Sequence, residues 1–153
     1  MKEVIYAMIP ARYGSTRLQM KNLALINGQP MISYAIGAAK DSGIFNKVIV
    51  NSEHNLFNRI ADRYKVDFYK RPEYLGSSEA KSDEVVADFM NNFKQADVVV
   101  WVNPISPLQT SDEIRNVVTY FIDNNLDSLI TVENKQVHTN FDGNPINYNV
   151  SEA

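Results

Sequence analysis

Arg12, Arg17 and Lys21 lie close together in "IPARYGSTRLQMKN" (9–22), with Gly14, Ser15 and Thr16 among them and no acidic residue in the stretch. These types suit the binding of an anion. A glycine lets backbone N–H groups approach phosphate oxygens, hydroxyls donate to them, arginine chelates two oxygens and lysine acts as a point charge. The spacing is neither GxxxxGK[ST] nor the dinucleotide fingerprint GxGxxG. A solvated basic surface loop is the alternative that the spacing leaves open.

The elements around the loop bear on that choice. Five apolar, β-branched runs predict buried strands at 4–10, 47–52, 66–70, 97–103 and 128–132. Between them, helical spacing predicts helices over 31–43, 54–64, 83–93 and 111–125, with Gly43 as a stop and caps at Ser82 and at Ser111 or Asp112. "NGQP" (27–30) reads as a turn leading into the first of these helices. Strand followed by helix, repeated, predicts a Rossmann-like α/β fold with a mostly parallel sheet flanked by helices. In such sheets ligands bind beyond the carboxyl ends of the strands. Loops 10–29, 52–54, 70–82 and 103–111 would share that edge.

Composition sets outer bounds. At 153 residues the chain is long enough for one domain with a real core. Its net charge is −3, from 15 basic and 18 acidic residues, so no global field recruits nucleic acid or an anionic membrane. Any anion site must be local. Cysteine is absent, which excludes disulfides, thiolate metal sites and cysteine nucleophiles. The N-terminal apolar run is too short for a signal peptide and no run reaches membrane-spanning length, so a cytoplasmic protein is expected.

The opening segment resembles the N-terminal signature of the CMP-sugar synthetases, the cytidylyltransferases that activate 3-deoxy-ulosonic acids. "ARYGSTRL" is similar to the octulosonate enzymes, and Lys21-Asn22 to the sialate type. "FNKVIVNSEHNLFNRIADRY", "KRPEYLGSSEAKSDEVV" and "VVVWVNPISPLQTSDEI" resemble three further family segments in the same order, so the likeness runs to about residue 133. It implies a fold of the nucleotide-diphospho-sugar-transferase type, with 1–133 as the nucleotide-binding domain and 134–153 as an incomplete start of the sugar-binding and dimerisation portion.

The resemblance also assigns roles. CTP would be held by Ala11, Arg12, Gly14, Ser15, Arg17, Lys21, Asn22, Arg71 and Ser82, with Arg12 and Lys21 taking part in catalysis and Asn103 facing the sugar. From the residues alone, Arg71 reads equally as a solvent-facing charge beside a proline turn and Ser82 as a plain helix cap. The implied reaction is attack of a 3-deoxy-nonulosonic (sialic-type) acid on CTP, giving a CMP-sugar and pyrophosphate. The alternatives are transfer onto 3-deoxy-manno-octulosonate and a truncated, non-catalytic nucleotide-binding module. Mg²⁺ and a possible homodimer are family expectations, and the chain shows no metal ligands.

Departures from the family pattern are specific. Thr16 replaces a lysine of the sialate type, and "QM" (19–20) replaces Pro-Gly. Asn103, Ile105 and Gln109 stand where Gln, Thr and Arg are usual. The polar, turn-rich end reads as C-terminally truncated, with Asp142 of "FDGNP" a turn residue rather than a metal ligand. A chain lacking the late metal carboxylates is expected to be a poor catalyst alone and to expose apolar surface that favours self-association. His54 and His138 have no ligand partners in the sequence and read as surface or structural residues.

Overall fold

A computed structural model describes residues 3–14, 18, 20–133, 139–142, 144–146 and 149. Ser15, Thr16, Arg17 and His138 therefore lie outside the described residues. Strand β1 (Ile5–Pro10) is buried on both faces. It pairs in parallel with β4 (Lys47–Ser52) on one side and β6 (Val98–Trp101) on the other. Beyond β4 lies β5 (Asp67–Lys70), giving the order β5-β4-β1-β6. The parallel α/β architecture expected from the strand–helix alternation is present.

The pleat of β1 divides the core into two clusters. Ile5, Ala7, Ile9 and the following Ala11 turn to one face, where Ile32, Ile36, Phe57, Ile114 and Val118 pack against them. Those partners come from α1 (Met31–Ser42), α2 (Leu56–Tyr64) and α4 (Ser111–Asp123). Tyr6 and Met8 turn to the other face and meet Val85 and Phe89 of α3 (Ser82–Asn92). Tyr69, Phe89 and Phe93 form an aromatic group there, with Tyr69 edge-on to Phe93 at 5.3 Å.

Helix ends follow local chemistry. Gly43 closes α1 at φ 67°, the left-handed conformation glycine tolerates best. The turn expected at 27–30 is a tight hairpin of β2 (Leu25–Ile26) and β3 (Gln29–Pro30), with Asn27 and Gly28 both at positive φ. Two expected caps move by one residue. Thr110, not Ser111 or Asp112, caps α4: its hydroxyl accepts the Glu113 N–H at 3.2 Å, and Glu113 accepts the Thr110 N–H at 2.7 Å. Lys81, not Ser82, is the N-cap of α3; its backbone N–H is taken by Glu84 at 2.9 Å, leaving Ser82 as the first helical residue.

The fifth expected strand does not form. Residues 128–132 carry no regular structure, with Ile130 and Val132 mostly exposed. An apolar cavity of about 480 Å³, lined by residues of β6, α4 and 127–131, separates the segment from the sheet edge. A strand exists only where a neighbour completes its ladder, and β-branched composition alone does not supply one. Further on, β7 (Asn140–Phe141) and β8 (Asn144–Pro145) form a small hairpin. Asp142 lies in its turn at φ 48°, the turn residue expected.

Candidate functional site

The carboxyl ends of β1, β4, β5 and β6 open on one side of the sheet, and the ladder continues into the loops there. Ala11 N–H donates to Asn51 O at 2.9 Å, Arg71 N–H to Ser52 O at 3.1 Å, and Val102 N–H to Met8 O at 2.9 Å. These bonds fix the first residue or two of each loop as firmly as the strands themselves. A pocket of about 260 Å³ lies between the loops.

Six of the residues singled out from the sequence line that pocket: Arg12, Lys21, Asn22, Arg71, Ser82 and Asn103. They arrive from three loops that are distant in sequence. Ala11 sits just behind, buried, with its carbonyl accepting Arg71 Nη2 at 3.3 Å. Gly14 is exposed and does not line the pocket, while Ser15 and Arg17 lie outside the described residues. Gln109 lines the apolar cavity beside β6 instead, so its lack of charge does not bear on this pocket.

The cations are held differently. Arg71 is only 4% exposed, and its Nη2 bonds to Glu53 Oε2 at 2.9 Å. It is therefore not the solvent-facing charge that the sequence also allowed. Burial pulls the Arg71 pKa below its ordinary value and the Glu53 carboxylate opposes the shift; arginine remains charged at any physiological pH. Arg12 is half-buried, with a long 3.4 Å contact from Nη1 to Ser77 O. Lys21 begins a 3-10 turn (Lys21–Leu23) after Met20 at φ 50°, and no described residue bonds or pairs with its ammonium group.

Two buried polar atoms at this pocket have no partner among the described residues: Arg71 Nε, a donor, and Asn22 Oδ1, an acceptor. Asn22 is 5% exposed, and its Nδ2 donates to Arg12 O at 3.3 Å. Leaving such groups unsatisfied costs free energy.

The sequence missed several parts of the site. Glu53, at the end of β4, brings an acid to a loop that has none nearby in sequence: its Oε1 accepts the Tyr13 N–H at 2.7 Å. Position was the available signal, since Glu53 follows a strand at its carboxyl end. Trp101 lines the pocket at 38% exposure, although its run reads only as a core strand. Ile105, marked as a departure, also lines it. Asn103 Oδ1 accepts the Ile105 N–H at 3.3 Å, which engages the amide oxygen of this pocket residue.

His54 proves structural. Its ring stacks on Tyr13 at 4.0 Å and its Nδ1 accepts the Leu56 N–H at 3.2 Å at the start of α2. The described residues do not by themselves make a Mg²⁺ site. No carboxylate lines the pocket, Glu53 is committed to Arg71 and Tyr13, and no cluster of three acidic or histidine groups occurs among the described residues. Nor is any described helix long and apolar enough to cross a membrane.

The family model described as cytidylyltransferase matches residues 6–152. The chain is 34% identical over 121 residues to N-acylneuraminate cytidylyltransferase of Escherichia coli O18:K1:H7, covering 79% of this chain and 29% of that protein. It is 33% identical over 119 residues to CMP-N,N'-diacetyllegionaminic acid synthase of Legionella pneumophila, covering 74% of this chain and 51% of that one. Among solved structures, CMP:2-keto-3-deoxy-manno-octonic acid synthetase complexed with CTP superposes with a TM-score of 0.70 at 22% identity. That match covers 80% of this chain and 49% of the synthetase, and speaks to the fold. The chain thus spans between about a third and a half of these relatives.

Proposed function

Because the chain belongs to the cytidylyltransferase family, we propose that its pocket binds CTP and that it forms the nucleotide-binding part of an enzyme making a CMP-sugar from a 3-deoxy-nonulosonic acid. The observation that carries this reading is the convergence of Arg12 and Lys21 from one loop and Arg71 from another on one pocket, beside a buried donor and acceptor without partners among the described residues. An anionic ligand answers the charges.

In the reaction, a hydroxyl oxygen of the sugar acid attacks the α-phosphorus of CTP. The bond from that phosphorus to the bridging oxygen breaks, pyrophosphate leaves with its electron pair, and the hydroxyl proton passes to solvent. Lys21 and Arg12 would offset charge on the phosphates and hold them in line, which is where catalysis of phosphoryl transfer resides. Asn103 would meet the sugar acid, its amide NH₂ donating to a carboxylate or hydroxyl. The choice of a nine-carbon acid follows the names of the Escherichia coli and Legionella relatives.

Isothermal titration calorimetry of the chain with CTP, with and without Mg²⁺ and with ATP and GTP as controls, tests the reading. CTP-selective binding is expected. Absence of nucleotide binding by the folded protein would refute it. Turnover with nonulosonic and octulosonic acids then decides the acceptor, and binding without turnover on any acid would favour a non-catalytic module.

A further inference from the structure

Among the described residues, Glu53 is the one acid that touches both the basic loop and Arg71. It is nearly buried, at 12% side-chain exposure, and its two oxygens serve different loops. Oε1 accepts the Tyr13 N–H at 2.7 Å, and Oε2 holds Arg71 Nη2 at 2.9 Å. One residue before Tyr13, the Arg12 carbonyl accepts from Asn22 Nδ2. A continuous set of contacts therefore runs Arg71–Glu53–Tyr13, then through the backbone to Arg12 and Asn22. Gly76 closes over this acid: a Cβ there would run into the Glu53 side chain.

We propose that Glu53 is a positioning residue for nucleotide binding, a buried strut that aims Arg71 into the pocket and ties the basic loop to it, with Gly76 keeping the space it needs. The inference rests on the reading of the pocket as a CTP site. A guanidinium is planar, with five N–H donors in fixed directions. Once Nη2 is held by Glu53 Oε2 and Ala11 O, the plane is set and so is the direction of the unpartnered Nε–H. The Tyr13 tether acts in parallel, holding the stretch that carries Arg12.

Positioning and simple Coulomb attraction predict opposite signs. Glu53 is a negative charge beside an anion site, so by charge alone Glu53→Gln would tighten CTP binding. If Glu53 is a strut, the same change weakens it, because Arg71 loses the ionic partner that orients it. Gly76→Ala leaves every charge in place and displaces only the strut, so it should weaken binding as well.

Titration calorimetry of the full chain with CTP provides the test, alongside the ¹⁵Nε–¹Hε NMR signal of Arg71, identified by its loss in Arg71→Met. The wild-type signal should be sharp and slow to exchange, and should broaden or vanish in Glu53→Gln and Gly76→Ala. In both variants CTP affinity should fall about tenfold or more, and Glu53→Gln should add little on an Arg71→Met background. Unchanged or tighter CTP binding by Glu53→Gln, or an Arg71 signal indifferent to both changes, overturns the proposal. Should the wild type bind no CTP while its Arg71 signal still depends on Glu53, the nucleotide reading fails and the strut stands.

Discussion

Lys21 and Arg71 line the same pocket, yet replacing them should have different consequences for stability. Lys21 lies on a half-exposed 3-10 turn, and no described residue bonds or pairs with its ammonium group. Lys21→Ala should therefore change stability by no more than about 0.5 kcal/mol, as at other sites without buried partners. Its loss from the ligand is a different matter. A hydrogen bond from a charged donor contributes about 1.5–3 kcal/mol. At about 1.4 kcal/mol per decade that is a rise in Kd for CTP of roughly 12- to 140-fold. Urea unfolding and titration calorimetry on the same preparations separate the two effects. A Lys21→Ala protein that loses stability by as much as it loses binding energy, or that binds CTP as the wild type does, would refute the assignment of Lys21 as a free binding cation.

Arg71→Met should cost stability as well as binding, losing about 3–5 kcal/mol because it strands the buried Glu53 charge. Adding Glu53→Gln should restore part of the loss, and additive single-mutant costs in urea titrations would count against a coupled pair. Phe89 is fully buried between the sheet and α3; Phe89→Ala should cost about 3–5 kcal/mol, measured by chemical denaturation. Tyr69 donates to Asp88 at 2.9 Å, and burial first, then that carboxylate, push its phenol up from 10.0 to about 12. The folded state favours the protonated phenol, so this contribution is complete below pH 10 and is lost as pH rises towards 12. Thermal melts should show a steeper alkaline decline for the wild type than for Tyr69→Phe.

Local chemistry wrote much of the fold into the chain. Alternating β-branched runs and helical stripes were enough for a parallel sheet with helices on both faces, because each pattern can bury its apolar side in only one way. Gly43 and the Asn27-Gly28 turn declared themselves through backbone conformations that few residues adopt. The basic loop was legible as a departure in charge from an acidic average, and the family motifs extended it to Asn22, Arg71, Ser82 and Asn103.

Long-range contact decided the rest. Residues 128–132 have the composition of a strand, but a strand is a property of a pair and β6 offers them no ladder. Whether Thr110 or Ser111 caps α4 turns on which hydroxyl reaches the Glu113 N–H, a matter of one residue in backbone geometry. Glu53 and Arg71 are 18 positions apart in the chain, and neither announces the other in the sequence. Only folding β4 against β5 brings them within 2.9 Å, turning a charge beside a proline turn into the buried arginine of a candidate nucleotide site.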